Sequence, residues 1–169
     1  MPVVVSDTTP LNYLILADCE SVLEKLYGQL FIPPAVLAEL GHASAPIQIA
    51  RWAATPPPWL RVATPASIPE RYKGLDLGER QALALAKEIK AELILLDDKA
   101  ARRVAQGESL KVKGTLGIVA DAARANLLDF AATVKKLQRT SMYLGQDVLD
   151  EIIGEFLKSK EEKRDGGLP

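Results

Sequence analysis

The chain has 169 residues, 48% hydrophobic and 25% charged, with a formal net charge of −1 at pH 7. That length and apolar content suit one globular domain with a sizeable core, and the balanced charge excludes any global attraction to nucleic acid or to anionic membranes. One cysteine, Cys19, and one histidine, His42, exclude an intramolecular disulfide and a structural zinc site, and a lone His42 after Gly41 in an expected loop argues against a Ser-His or Cys-His nucleophile.

Residues 2–6 read as a short buried strand. In Ser6-Asp7-Thr8-Thr9-Pro10 the proline suits the first turn of a helix, with Thr9 as its expected cap. Leu11, Leu14 and Ile15, then Val22, Leu23 and Leu26, continue at helical spacing with a break near Asp18 and a stop at Gly28. Leu30-Phe31-Ile32 is a second strand, and Pro33-Pro34 opens a helix carrying Val36, Leu37 and Leu40, closed by Gly41. Residues 46–54 look helical, Pro56-Pro57-Pro58 is a rigid breaker, and Trp59-Leu60-Arg61-Val62 forms a third strand. A polar loop over 64–74 leads to Asp76-Leu77-Gly78-Glu79, the start of an amphipathic helix reaching about Lys90. Residues 93–96 are a fourth strand, Lys99 to Ala105 a short helix, Lys111-Val112 a fifth strand, and Gly114-Thr115 caps a helix to about Ala125. The span 128–160 is expected to be helical, and 161–169 a flexible tail on a single domain of 1–160.

Strands alternating with helices predict an α/β fold with a parallel sheet covered on both faces. Sites in such sheets lie beyond the carboxyl ends of the strands. Asp7 and Asp97 each end an apolar run, so both are expected at one crevice, where Glu39 and Glu79 can join them. Two carboxylates about 4 Å apart repel by roughly 4 kcal/mol at an effective dielectric near 20. A divalent cation removes that cost, and an all-oxygen donor set suits Mg²⁺ or Mn²⁺ and metal-assisted phosphodiester hydrolysis. Each acid also has a purely structural reading. Asp7 can cap the following helix, Glu39 can be a surface glutamate, Asp76 and Glu79 can form a capping box, Asp97 and Asp98 can serve as turn and cap, and Thr115 can be an N-cap.

The motifs Val3-Val4-Val5-Ser6-Asp7-Thr8-Thr9-Pro10-Leu11, Ile32-Pro33-Pro34-Ala35-Val36-Leu37-Ala38-Glu39-Leu40, Leu77-Gly78-Glu79-Arg80-Gln81-Ala82 and Leu95-Leu96-Asp97-Asp98-Lys99, with the Gly114-Thr115-Leu116-Gly117 turn, resemble those of PIN-domain proteins over about residues 2–125. The chain looks like the prokaryotic PIN-like nucleic-acid-binding branch, related to the toxin nucleases of VapBC-type toxin–antitoxin pairs. The resemblance implies a PIN-like three-layer α/β/α fold whose parallel sheet of about five strands runs in the order 3-2-1-4-5. It implies a Mg²⁺- or Mn²⁺-dependent endoribonuclease with Asp7, Glu39, Glu79 and Asp97 as its catalytic acids. Asp7, Glu79 and Asp97 would be metal ligands, with Asp98 the alternative to Asp97 and with Thr8 and Thr115 in support. Many PIN nucleases carry Asp where this chain has Glu79, one methylene longer.

Lys99, Arg102 and Arg103 share one helix face beside the acidic end, which reads either as a phosphate-contacting patch or as a solvated surface. There is little aromatic interleaving for base stacking, with only Tyr72 near the polar loop, so no sequence-specific readout is visible. Leu149, Ile152, Ile153, Phe156 and Leu157 form an apolar stripe, either core or a surface for a second copy or an antitoxin. No stretch reaches transmembrane length and no signal-peptide core opens the chain, so the expected location is the cytoplasm, with RNA as partner and no membrane. A PIN-like module that binds nucleic acid or protein without cutting is the competing reading. A haloacid-dehalogenase-like phosphatase is discounted because Thr9 stands where its second aspartate belongs, and a response-regulator receiver because the acidic doublet follows the fourth strand.

Overall fold

In the computed structural model the apolar runs become five short parallel strands: β1 (Val4–Ser6), β2 (Leu30–Ile32), β3 (Leu60–Val62), β4 (Leu93–Leu95) and β5 (Val112–Lys113). They pair in the order β3-β2-β1-β4-β5, as expected. Ser6 is in register with Leu95, Val5 with Phe31, and Leu95 with Lys113. The structure describes residues 2–140, 150, 153–154, 156–158 and 161. Two compact units divide the chain, Met1–Thr115 and Leu116–Pro169.

The first unit holds the sheet. Its helices are α1 (Thr8–Leu16), α2 (Val22–Tyr27), α3 (Pro34–Leu40), α4 (Ile47–Ala54), α5 (Leu77–Glu88) and α6 (Lys99–Gly107). The chain steps outward from β1 through β2 to β3, then crosses back to β4 and on to β5. Right-handed crossovers in opposite directions flank such a sheet with helices and open a crevice beside the strand where the order reverses, here β1. Val4, Val5, Leu30, Ile32, Ile94 and Leu95 are wholly buried, as residues of a sheet covered on both faces must be. Val5, Ile94 and Leu96 pack with Leu83, Leu85 and Ala86 of α5 and with Ala101 and Ala105 of α6. Burying one leucine of this kind contributes about 1.5–3 kcal/mol.

Three local expectations need correction. The cap of α1 is Asp7, not Thr9, because the Asp7 N–H is held by the Leu95 carbonyl at 3.0 Å and the chain turns immediately after it. Pro10 then falls third in the helix, still within the first turn, where its missing N–H costs nothing. The loop over 64–74 contains a 3-10 turn, Glu70–Tyr72, which carries Tyr72 into the core with no exposure. Its ring packs in the apolar core with the Arg71 guanidinium over one face, and, fully buried, offers nothing to a nucleobase. Thr115 is the first residue of helix α7 (Thr115–Arg124) rather than its cap, because its hydroxyl is bonded elsewhere.

The second unit takes in the rest of α7 and α8 (Phe130–Gln138), whose N-cap Asp129 accepts the Ala132 N–H at 2.8 Å. Phe130, Val134 and Leu137 are buried, and Phe156 stacks on Phe130 with centroids 4.3 Å apart. Of the expected apolar stripe, Phe156 is buried, Ile153 is half-buried and Leu157 is 54% exposed. Leu149, Ile152 and the expected tail from 162 onward lie outside the described residues.

Candidate active site

Asp7 joins β1 to α1, and strand pairing buries it to 4% exposure. Burial is the main force that pushes its carboxyl up to about 7, with the charges of Asp76, Glu79 and Glu39 acting in the same direction and the Thr8 backbone opposing them. The carboxylate makes no capping bond to α1. It is therefore a buried acid with a helix N-terminus beside it and three acids around it.

Glu39 occupies the last turn of α3, which the Ala35 N–H ties to Gln81 of α5 at 3.0 Å. Its Oε2 accepts the Thr8 hydroxyl at 2.5 Å. The notch it enters has Gly78 as its floor. A Cβ there would lie 2.8 Å from Glu39 Oε1, 3.3 Å from its Cδ and 3.4 Å from Asp7 Oδ1. Real Cβ contacts do not fall that short, so glycine at 78 is what lets the Glu39 and Asp7 carboxylates share this space.

Glu79 stands next to that glycine in the first turn of α5. The capping box is formed: the Glu79 N–H donates to Asp76 Oδ1 at 2.8 Å, and the Asp76 N–H donates to Glu79 Oε2 at 3.3 Å. The return bond is long, and only one carboxylate oxygen takes part. Burial, then the neighbouring charge of Asp76, pushes Glu79 up to about 7 as well, with Asp98 adding to the effect.

The acidic doublet divides its roles. Asp98 is exposed and caps α6, accepting the Ala101 N–H at 2.9 Å. Asp97 is half-buried, and Thr115 binds both of its oxygens, the N–H to Oδ1 at 2.8 Å and the hydroxyl to Oδ2 at 2.6 Å. A wholly buried threonine thus fixes the orientation of Asp97. Of the basic candidates, Lys99 and Arg103 are exposed and Arg102 is half-buried.

None of these five acids forms an ion pair among the described residues. Nor, among them, do three His, Cys, Asp or Glu side chains converge closely enough to hold a metal ion. Asp7 and Glu39 meet over Gly78, while Glu79 is drawn toward Asp76 and Asp97 toward Thr115. The donor chemistry still fits a hard divalent cation. Every candidate ligand is a carboxylate, and two are buried with no positive partner, so their ionised forms are strongly disfavoured until such a charge arrives.

Residue-type reasoning missed Gly78, Gln81 and Gly114. The glycines stand out only as small residues next to a functional position. Gln81 gives no signal, since its partner is the backbone of another helix.

A family model described as PIN domain matches residues 3–158. A PilT N-terminus domain protein from the archaeon Sulfolobus solfataricus shares the fold with a TM-score of 0.50 at 15% identity, over 84% of this chain and 98% of that one. No curated protein matches the sequence. No helix among the described residues is long and apolar enough to cross a membrane.

Proposed function

The chain belongs to the PIN-domain family, typically nucleases, and from that premise we propose that it is a Mg²⁺- or Mn²⁺-dependent endoribonuclease, the cytoplasmic toxin of a toxin–antitoxin pair. The observation that carries this reading is the buried, unpaired Asp7 carboxyl sharing a glycine-floored notch with Glu39 at the end of the central strand. Asp7, Glu39, Glu79 and Asp97 would hold the ion. When bound, it supplies positive charge for a phosphate oxygen and acidifies a water. The chain's own residues prepare for it. Thr8 aims Glu39, Thr115 aims Asp97, and Asp98 is withdrawn as a helix cap, which favours Asp97 as the ligand. Gln81 pins α3 to α5, so that Glu39 approaches from a fixed direction. The exposed Leu157 supports a role for the C-terminal helices in meeting a small antitoxin protein or a second copy.

RNA cleavage that requires Mn²⁺ or Mg²⁺, stops in EDTA and disappears in Asp7→Asn is the expected result. Full activity in that variant would sink the assignment. One observation favours a second reading, a module that binds RNA without cutting it: Thr115 engages both Asp97 oxygens, and among the described residues no three acids converge. Calorimetry showing no Mn²⁺ binding, together with RNA affinity unchanged in EDTA, would select that alternative.

A further inference from the structure

Arg102 sits in the first turn of α6, just beyond the acidic doublet, and is half-buried. A Cβ on Gly114 would lie 3.0 Å from its Nη1 and 2.9 Å from Oδ1 of Asp97. The guanidinium and the carboxylate therefore flank one small gap, with the backbone of residue 114 as its wall. They do not pair across it. Both oxygens of Asp97 are bonded to Thr115, and among the described residues the Arg102 side chain makes no hydrogen bond or ion pair. A guanidinium drawn partly out of water without a partner carries a desolvation cost that an exposed arginine avoids. Arg103, the next residue, is exposed and has no such constraint.

A phosphodiester approaching this edge meets Asp7, Glu39, Glu79, Asp97 and Asp98, all repulsive when ionised. A fixed guanidinium offers the opposite charge and a planar fork that matches two phosphate oxygens. Resting on the nuclease reading of the same site, we propose that Arg102, rather than Lys99 or Arg103, grips a backbone phosphate of the bound RNA strand, and that Gly114 keeps the gap open for it. Arg102 is thus a substrate-binding residue, and Gly114 a positioning residue for both Arg102 and Asp97.

The test is fluorescence anisotropy of the full chain with a single-stranded oligoribonucleotide, in Ca²⁺ to suppress cleavage, over a range of salt. Arg102→Ala should weaken binding about tenfold or more and reduce the salt slope by about one. Gly114→Ala should follow it, and Arg102→Lys, which keeps the charge but loses the fork, should fall between wild type and alanine. Lys99→Ala and Arg103→Ala should each lose less than about threefold, as expected of mobile surface charges. Equal losses at all three basic positions, or unchanged affinity in Arg102→Ala, would overturn the proposal while leaving the nuclease reading intact. A wild-type chain that binds no RNA would overturn both. Melting temperatures measured alongside identify any variant that fails to fold, in which case Arg102→Lys decides the matter.

Discussion

Replacing Asp7 by asparagine should abolish activity and yet stabilise the metal-free protein at alkaline pH. The carboxyl titrates near 3.8 in an unfolded chain and about 7 in the folded one. Below 3.8 it is protonated in both states and contributes nothing. Between the two values only the unfolded chain releases the proton, so stability falls as pH rises. Above about 7 the penalty is complete, and at about 1.4 kcal/mol per pH unit it amounts to roughly 4 kcal/mol. Glu79, also pushed up to about 7, adds to the same slope. For a chain of this size each kcal/mol shifts the melting temperature by about 2–4 °C, so the wild type in EDTA should melt roughly 10 °C lower at pH 8.5 than at pH 5.5. Asparagine keeps the shape, gives up no capping bond, and can donate its amide to the surrounding carboxylates. It should remove most of that penalty, roughly 4 kcal/mol at pH 8.5 and, because the unfolded carboxyl is already ionised there, about 2 kcal/mol at pH 5.5. Adding Mn²⁺ should raise the wild-type melting temperature at pH 8.5 far more than that of the variant. If the variant melts below wild type at both pH values, Asp7 is a structural group and the reasoning fails.

Four further substitutions separate structure from chemistry. Gly78→Ala places a methyl 2.8 Å from Glu39 Oε1 and must displace that side chain; calorimetry should show Mn²⁺ affinity falling at least about tenfold, while alanine's helix preference of about 1 kcal/mol over glycine keeps the melting temperature at or above wild type. Glu79→Gln retains a competent capping box and removes a carboxyl pushed up to about 7, so melting should hold at pH 5.5 and rise at pH 8.5 while RNA cleavage collapses. Asp76→Ala should instead cost about 1 kcal/mol as a lost cap, seen as a lower melting temperature at pH 5.5 and less so at pH 8.5, where removing its charge relieves Asp7. Thr115→Val deletes the 2.6 Å bond to Asp97 but leaves the N–H bond. It should lose about 1.5–3 kcal/mol in denaturant titration and reduce kcat/KM, with Thr115→Ser restoring both.

Most elements were legible because they follow from hydrophobic runs and proline positions, all local features, while the sheet order was expected from the family resemblance alone. The family motifs placed four acids at one edge, and the strand ends Asp7 and Asp97 were expected there from pattern alone. What pattern could not show was how the acids are held. Whether Asp97 or Asp98 caps α6 depends on where Thr115 arrives from a strand away, and residue types do not encode that. Tyr72 lies among polar residues and two prolines, and only the packed core reveals that its ring is inside. The notch over Gly78 exists because Gln81 sets α3 against α5, a contact spanning 46 residues in sequence.

The fold already offers these acids some relief. Asp7 and Asp98 sit at the N-caps of α1 and α6, and Glu79 in the first turn of α5, where the helix field favours negative charge. Each such placement contributes about 0.3–1 kcal/mol, up to about 2 when partly buried. That falls short of the roughly 4 kcal/mol that burial and neighbouring charge impose on Asp7 alone at high pH. Glu39 makes the imbalance worse, since it lies at the carboxyl end of α3 where the field has the opposite sign. The helix termini therefore reduce the strain without removing it. The residual penalty is of the size expected if these carboxylates are arranged for a positive ligand and not for the fold's own stability. A trade-off follows: neutralising either Asp7 or Glu79 should make the metal-free chain easier to fold at pH 8 and weaken its hold on Mn²⁺. Asp97→Asn, whose two oxygens are already satisfied by Thr115, should weaken the ion's hold without that gain in stability.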